Sequence, residues 1–214
     1  MKYKVKNLIS FTSLIFLFIV FYFVYSNITS NTSKLIKFNS NGISSKFELE
    51  ISNNFEDIDK FISKYIFIKN YKITNNSSQI KIEIEIKKPF AKNNLNKEIV
   101  FHDNSTASYV FFNKEFINSI KLVDISSETL KLNNYLNKSY NQLSKIFKIN
   151  QIEYIDDRRY DLYVDNNKKV MLPKIINQKF LVFLENNLEL LKNNMNFKEY
   201  IDLRNFHLKT IRVK

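Results

Sequence analysis

Few side chains in this sequence could do acid–base or covalent chemistry, and their spacing argues against most of it. His102 and His207 are the only imidazoles, and cysteine is absent, which excludes disulfides, thiolate metal sites and a thiol nucleophile. Both histidines fall on predicted turn or strand positions, without a ligand-type neighbour one helical turn away. His102 stands next to Asp103, a pair that could share a proton but reads better as a solvated turn. Asp156, Asp157, Asp161 and Asp165 crowd together as a calcium loop would. They lack the D-x-[DN]-x-[DN]-G spacing and the closing Glu. Arg158 and Arg159 among them suggest a mixed, solvated hairpin. Serines abound, yet no G-x-S-x-G or S-x-x-K occurs in a suitable context. The single glycine, Gly42, rules out glycine-rich phosphate cradles. The expectation is a protein with no catalytic residue, no metal and no cofactor, whose work is interaction.

The elements that would present an interaction surface follow from composition and patterning. In 214 residues, 44% hydrophobic and 15% aromatic, there is room for one medium domain or two small ones beside an anchor. With glycine nearly absent, turns must use Asn, Asp and Ser. The formal charge is +12, of which Lys2, Lys4 and Lys6 carry three, leaving nine for the rest. Its lysines are scattered, without an Arg-rich helix or an aromatic RNA-binding motif, so no nucleic-acid partner is expected. Anionic lipid or a cell-wall polymer would suit the charge equally well.

Residues 8–25 contain no charge. At 1.5 Å per residue they span roughly 27 Å, enough for a bilayer core. The preceding lysines place the N-terminus in the cytoplasm by the positive-inside rule. A cleaved signal peptide is the competing reading, but no small-residue cleavage site follows. The segment is read as an uncleaved single-pass anchor from Leu8 to Tyr25, after a cytoplasmic tail at 1–7 and before a polar linker at 26–36.

A strand is expected near residues 47–51, then a helix from an Asn53/Asn54 cap to about Lys64, with Phe55, Ile58, Phe61, Ile62 and Tyr65 at helical spacing. Two strands follow, 66–73 and 79–88, the second with Ile80, Ile82, Ile84 and Ile86 on one face. Beyond Lys97, residues 98–101 and 108–112 read as strands around a turn at 102–105. A helix is expected from Ser126/Ser127 through Phe147, then strands at 149–155, 160–164 and 169–172, the last pair turned by residues 165–167. After Pro173 a helix runs to about Asn193. Residues 199–203 and 207–213 read as a closing strand pair. The apolar parity changes between Phe206/Leu208 and Ile211/Val213, which fits a bulge or an edge strand meeting different neighbours on its two faces. An edge could accept a partner's strand, or simply close the sheet. The fold class is α+β: a single transmembrane helix, a small domain at 37–92, and a larger mixed domain at 93–214 dominated by an antiparallel sheet.

Tyr200-Ile201-Asp202-Leu203-Arg204 resembles the Y-[VI]-D-[LM]-R end of the FtsQ/DivIB family of bacterial cell division proteins. Residues 37–92 resemble a trimmed form of that family's POTRA domain. Ile66-Phe67-Ile68-Lys69 stands where the family has P-W-V-K, and Lys87-Lys88-Pro89-Phe90-Ala91 where it has R-x-P-V-A. Strand–helix–strands–helix–strands after residue 93 is similar to its β domain. The resemblance implies a non-enzymatic divisome scaffold in the bacterial inner membrane, periplasmic in bulk and concentrated at the division septum. It also implies FtsB/FtsL-type partners added to the last strand, and a part in controlling septal peptidoglycan synthesis. By position, Tyr200, Asp202, Leu203 and Arg204 match the motif. Asn205 replaces a commonly aromatic position, which Phe206 could take over. Tyr200, Asp202, Arg204, Asn205, Phe206, Leu208 and Ile211 are the expected partner-binding residues, with Ile201 and Leu203 as core. The alternative is a basic periplasmic envelope module binding lipid or cell-wall polymer.

Overall fold

A computed structural model describes residues 18–22, 35–76, 79–127, 130–155, 158–164 and 168–214. Residues 18–22 are helical and exposed. The rest of the expected anchor, including Leu8 and Tyr25, lies outside the described residues, as does the turn at 165–167. Among the described residues no helix is long and apolar enough to cross a membrane. The chain divides into two compact units, one of Met1–Lys37 with Thr74–Lys81 and one of Phe38–Ile73 with Ile82–Lys214. The side-chain contacts that follow all lie within the second.

A small sheet has the order β1-β3-β2, with β1 at Leu35–Asn39, β2 at Ile68–Asn75 and β3 at Gln79–Ile86. Ile82 and Ile84 are buried while Lys81 and Glu83 are half-exposed, the alternation expected of a strand with one dry face. Where a strand was expected at 47–51, the chain forms helix α1, Ser45–Asn53. Phe47, Leu49 and Ile51 alternate like strand residues, but the helix buries Phe47 and Ile51 one turn apart and leaves Leu49 outside. The Ser44 hydroxyl caps it, accepting from the Phe47 N–H at 3.3 Å. Asn54 does not cap the next helix. Its amide donates to the Glu50 carbonyl at 2.8 Å, closing α1. A 3-10 turn at Phe55–Asp57 then leads into α2, Ile58–Ile62, shorter than the expected run to Lys64.

Among the described residues the large sheet has nine strands: β4 (Pro89–Asn93), β5 (Glu98–Phe101), β6 (Thr106–Ser108), β7 (Val123–Asp124), β8 (Gln151–Ile155), β9 (Arg159–Tyr163), β10 (Lys169–Pro173), β11 (Tyr200–Asp202) and β12 (Arg212–Val213). Their order is β12-β11-β10-β9-β8-β7-β4-β5-β6. Three of its eight pairings, β10–β11, β7–β8 and β4–β7, are parallel, so the sheet is mixed. Strand β4 belongs to this sheet, although its residues straddle position 92, where the sequence suggested a boundary. Helices α3 (Lys114–Ser119), α4 (Asn134–Leu143), α5 (Gln178–Asn186) and α6 (Leu188–Asn193) complete the unit. Leu136 and Leu143 of α4 and Phe180 and Leu184 of α5 share a buried core with Ile152, Leu162, Val170 and Ile201 of the sheet.

Three other expectations change locally. The strand expected at 108–112 ends at Ser108, whose hydroxyl accepts from the Val110 N–H and starts a 3-10 turn, Tyr109–Phe111. Asn104, with φ 67°, takes the left-handed position of the preceding hairpin turn, where a glycine would be usual. Ser126 does not start a helix. It lies buried, accepts from the Tyr154 N–H at 2.7 Å and joins Asp124 and Asn93 in a satisfied polar cluster. Helix α4 begins eight residues later, capped by Asn133.

The turn at 109–111 also meets α1. The Ser44 N–H donates to the Phe111 carbonyl at 3.0 Å and the Asn113 N–H to the Gly42 carbonyl at 2.9 Å, around an isolated antiparallel bridge between Ile43 and Phe112. The Phe111 ring lies 5.3 Å from those of Phe47, Tyr65 and Phe67, and Phe112 lies 5.0 Å from Phe67 and 5.3 Å from Phe116. Gly42 holds φ at 111°, and a Cβ there would stand 2.7 Å from Phe116 Cδ2. No other residue type fits that position without displacing the ring.

Candidate partner-binding edge

The last strands form one end of the large sheet. β11 pairs in parallel with β10, and β12 returns antiparallel to β11, with Ile201 opposite Val213 and Asp202 opposite Arg212. The strand expected over 207–213 is therefore only two residues long. A 3-10 turn at Phe206–Leu208 precedes it, and Lys209 reverses the chain with φ 54°. The parity change has its cause in that turn, with neither a bulge nor a continuous edge strand behind it. The Lys214 N–H donates to the Tyr200 carbonyl at 3.0 Å, while the Lys214 carbonyl accepts from the N–H groups of Lys198 and Glu199 at 2.9 and 2.7 Å. Beyond β12 no strand follows among the described residues, so among them its outer edge is unpaired.

The expected partner-binding residues separate into two groups. Ile201 and Leu203 are core, as expected. Asp202 is buried and bound by Arg204, whose Nε and Nη2 donate to its two oxygens at 2.9 and 2.7 Å, with the Arg204 N–H adding a third bond at 3.0 Å. Burial pushes the Asp202 carboxyl up, but these bonds outweigh it and leave the group below its ordinary value. Arg204 is thus an internal brace. Phe206 is not a surface contact. Its ring meets those of Phe180 and Phe183 on α5, at centroid distances of 5.3 and 6.0 Å. Ile211 packs against the same core, and Tyr200 and Asn205 are half-buried. Leu208 faces outward, 63% exposed, and Arg212 and Val213 are exposed beside it.

Sequence reading missed a charged row under this edge. Glu153, Asp161, Met171, Asp202 and Arg212 stand opposite one another across five neighbouring strands. Asp161, read from the sequence as part of a solvated hairpin, is fully buried; Arg159 Nε holds it at 2.8 Å and Lys169 Nζ at 3.0 Å. Tyr163 donates to Glu153 at 2.6 Å, and burial followed by that bond pushes its hydroxyl pKa up. The signal was present: Arg159, Asp161 and Tyr163 alternate with apolar Tyr160, Leu162 and Val164, which puts the three polar residues on one face. His102 also departs from the solvated-turn reading. It is half-buried, edge-on to Phe90 at 5.2 Å, and its pKa is lowered by burial and by Lys88.

Asp161 is held by Arg159 and Lys169 and Asp202 by Arg204, so neither of these two carboxylates is placed to accept a substrate proton. Among the described residues no group of three or more His, Asp or Glu could hold a metal ion. What the edge offers is main-chain hydrogen bonding flanked by two exposed apolar side chains, Leu208 and Val213, and basic groups.

Residues 101–204 match the family model described as "Cell division protein FtsQ/DivIB, C-terminal". No curated protein matches the chain. The matched segment begins at the end of β5 and stops at Arg204, short of the Phe206 turn and β12. Over residues 101–204 this chain is similar to the FtsQ/DivIB C-terminal domain family, a family of structural proteins of cell division.

Proposed function

We propose that this protein is an FtsQ-type scaffold of the division machinery, with no catalytic activity of its own. A single span at residues 8–25 anchors it in the inner membrane with the N-terminus in the cytoplasm, and the domains beyond the span are periplasmic and gather at the septum. The order β1, α1, α2, β2, β3 corresponds to a POTRA-like domain. The work is done at the other end of the chain, where a segment of an FtsB/FtsL-type protein adds to the outer edge of β12 and septal peptidoglycan synthesis is tuned through that complex. The observation that carries the reading is the open edge at β12, contiguous with the family-matched segment and flanked by exposed Leu208. Strand addition derives affinity from backbone bonds and specificity from the side chains beside them.

The test is binding of the full-length chain, in detergent micelles, to the periplasmic segment of the FtsB-type protein from the same genome. Saturable binding that Leu208→Asp weakens at least tenfold supports the reading. Binding untouched by that change and by truncation after Arg204 moves the partner elsewhere on the domain. Absence of binding, with tight capture of anionic lipid or glycan strands, supports the envelope-module alternative.

A further inference from the structure

The turn that delivers β12 is fastened to the core rather than left as a free tail. Phe206 inserts beside Phe180 and Phe183 of α5, at 5.3 and 6.0 Å. The Leu208 and Lys209 N–H groups donate back to the Asn205 and Phe206 carbonyls, both at 2.9 Å. Lys209 then adopts the left-handed conformation, φ 54°, which turns the chain through the reversal. β12 itself is too short, at two residues, to hold its register by its own pairing. Its outward side chains bury almost nothing, since Arg212 and Val213 are exposed. The apolar anchoring of this segment therefore rests on Phe206 and on Ile211, which packs against the same core.

We propose that Phe206 is a positioning residue for partner binding: its seat on α5 presets the β12 edge, so that an incoming extended segment meets a template already in register. This rests on the strand-addition reading above. The partner chemistry it fits is an extended peptide offering a row of N–H and C=O groups, with an apolar side chain placed to meet Leu208. A preset edge spares the complex the ordering of residues 206–214 on binding, and an encounter with an ordered edge succeeds more often than one with a loose tail. The effect belongs in the association rate.

The experiment uses the full-length chain in detergent micelles, with the periplasmic segment of the FtsB-type protein as probe and hydrogen exchange as a partner-free readout. In Phe206→Ala, exchange at residues 209–214 should rise at least tenfold while residues 160–164, in β9 and directly after it, keep their rate. Association with the probe should slow at least fivefold with little change in dissociation, and Phe206→Leu should restore both. Lys209→Val reaches the same strand without opening a cavity, because a β-branched residue resists the left-handed conformation, and should act in the same direction; Lys209→Gly should not. Unchanged exchange at 209–214 overturns the proposal, and so does a rise shared equally by 160–164, which would mark a general loss of stability. A loosened strand with unaltered association also overturns it. If the wild-type chain ignores the probe, the strand-addition reading fails, while the exchange arm still decides whether Phe206 holds β12.

Discussion

Two 3-10 turns, Tyr109–Phe111 and Phe206–Leu208, use the same materials and end differently. Each carries a phenylalanine into an aromatic cluster and redirects a strand. At the first, the backbone is claimed from the far side as well: Ser44, Gly42 and the Ile43–Phe112 bridge bind the segment that follows. At the second, the following strand has one neighbour, β11, and on its other side no strand among the described residues. Aromatic content does not separate a closed junction from an open edge here. Unused backbone hydrogen-bonding capacity does, because a paired edge is chemically finished and an open one is not.

Removing the ring that follows the closed turn should therefore have the largest effect on stability. Phe112 is 4% exposed and ringed by Phe67, Phe101 and Phe116. Phe112→Ala should lower the unfolding free energy by about 3–5 kcal/mol, read from the denaturant midpoint at unchanged slope. A loss below about 1 kcal/mol would mean the cluster is not the fastening it looks like. Gly42→Ala strikes the same junction through the backbone, since φ of 111° is foreign to a side-chain-bearing residue and the new Cβ would stand 2.7 Å from Phe116. About 2–3 kcal/mol is expected from strain of that kind, and Phe116→Ala in the same chain should recover the steric part while leaving the dihedral part.

How much of this could be read beforehand varied with how local the cause was. The alternation in β3, the strands at β8 to β10 and the apolar stripe of α5 were plain, because periodicity alone dictates them. α1 was not, since Phe47, Leu49 and Ile51 satisfy the strand period and only the Ser44 cap and the fate of Leu49 separate the two readings. β7, two residues long, exists because β4 and β8 flank it, and no local pattern announces that. Asp161 looked solvated because its sequence neighbours are charged; the neighbours that bury it are Arg159 and Lys169, one of them across the sheet. Phe206 looked like a contact residue because it follows Asn205, at the position the family commonly fills with an aromatic, and the α5 rings that receive it lie over twenty positions earlier.

Acid should distinguish the two regions less sharply, since each has a carboxylate held below its ordinary value. Asp103, near the closed turn, is lowered to about 2, first by the bond from Lys87 at 2.6 Å and then by Ser105. Asp202, under the open edge, is lowered by Arg204 against the opposing effect of burial. A carboxylate depressed on folding contributes stability above its unfolded pKa, near 4, and loses it as pH falls through the folded value. The unfolding midpoint should hold down to about pH 4 and then decline toward pH 2. Lys87→Met should shallow that decline, and an unchanged decline would place the acid response in other groups. Asp103 is half-exposed, so solvent screening keeps its share small.

The smallest expected effect lies at the open edge. Leu208 and Ile201 sit seven residues apart, on the turn before β12 and on β11. Ile201 is fully buried, whereas Leu208 is 63% exposed. Ile201→Ala should lower stability by about 2–5 kcal/mol through the lost burial and the cavity. Leu208→Ala should stay within about 0.5 kcal/mol, because water already covers the side chain. If Leu208→Ala costs as much as a core change, the side chain is covered by this chain's own residues and is not held out for a partner. If it is silent in stability but weakens binding, its apolar surface is kept exposed for another molecule, and the comparison with the closed turn at 109–111 then holds in energy as well as in geometry.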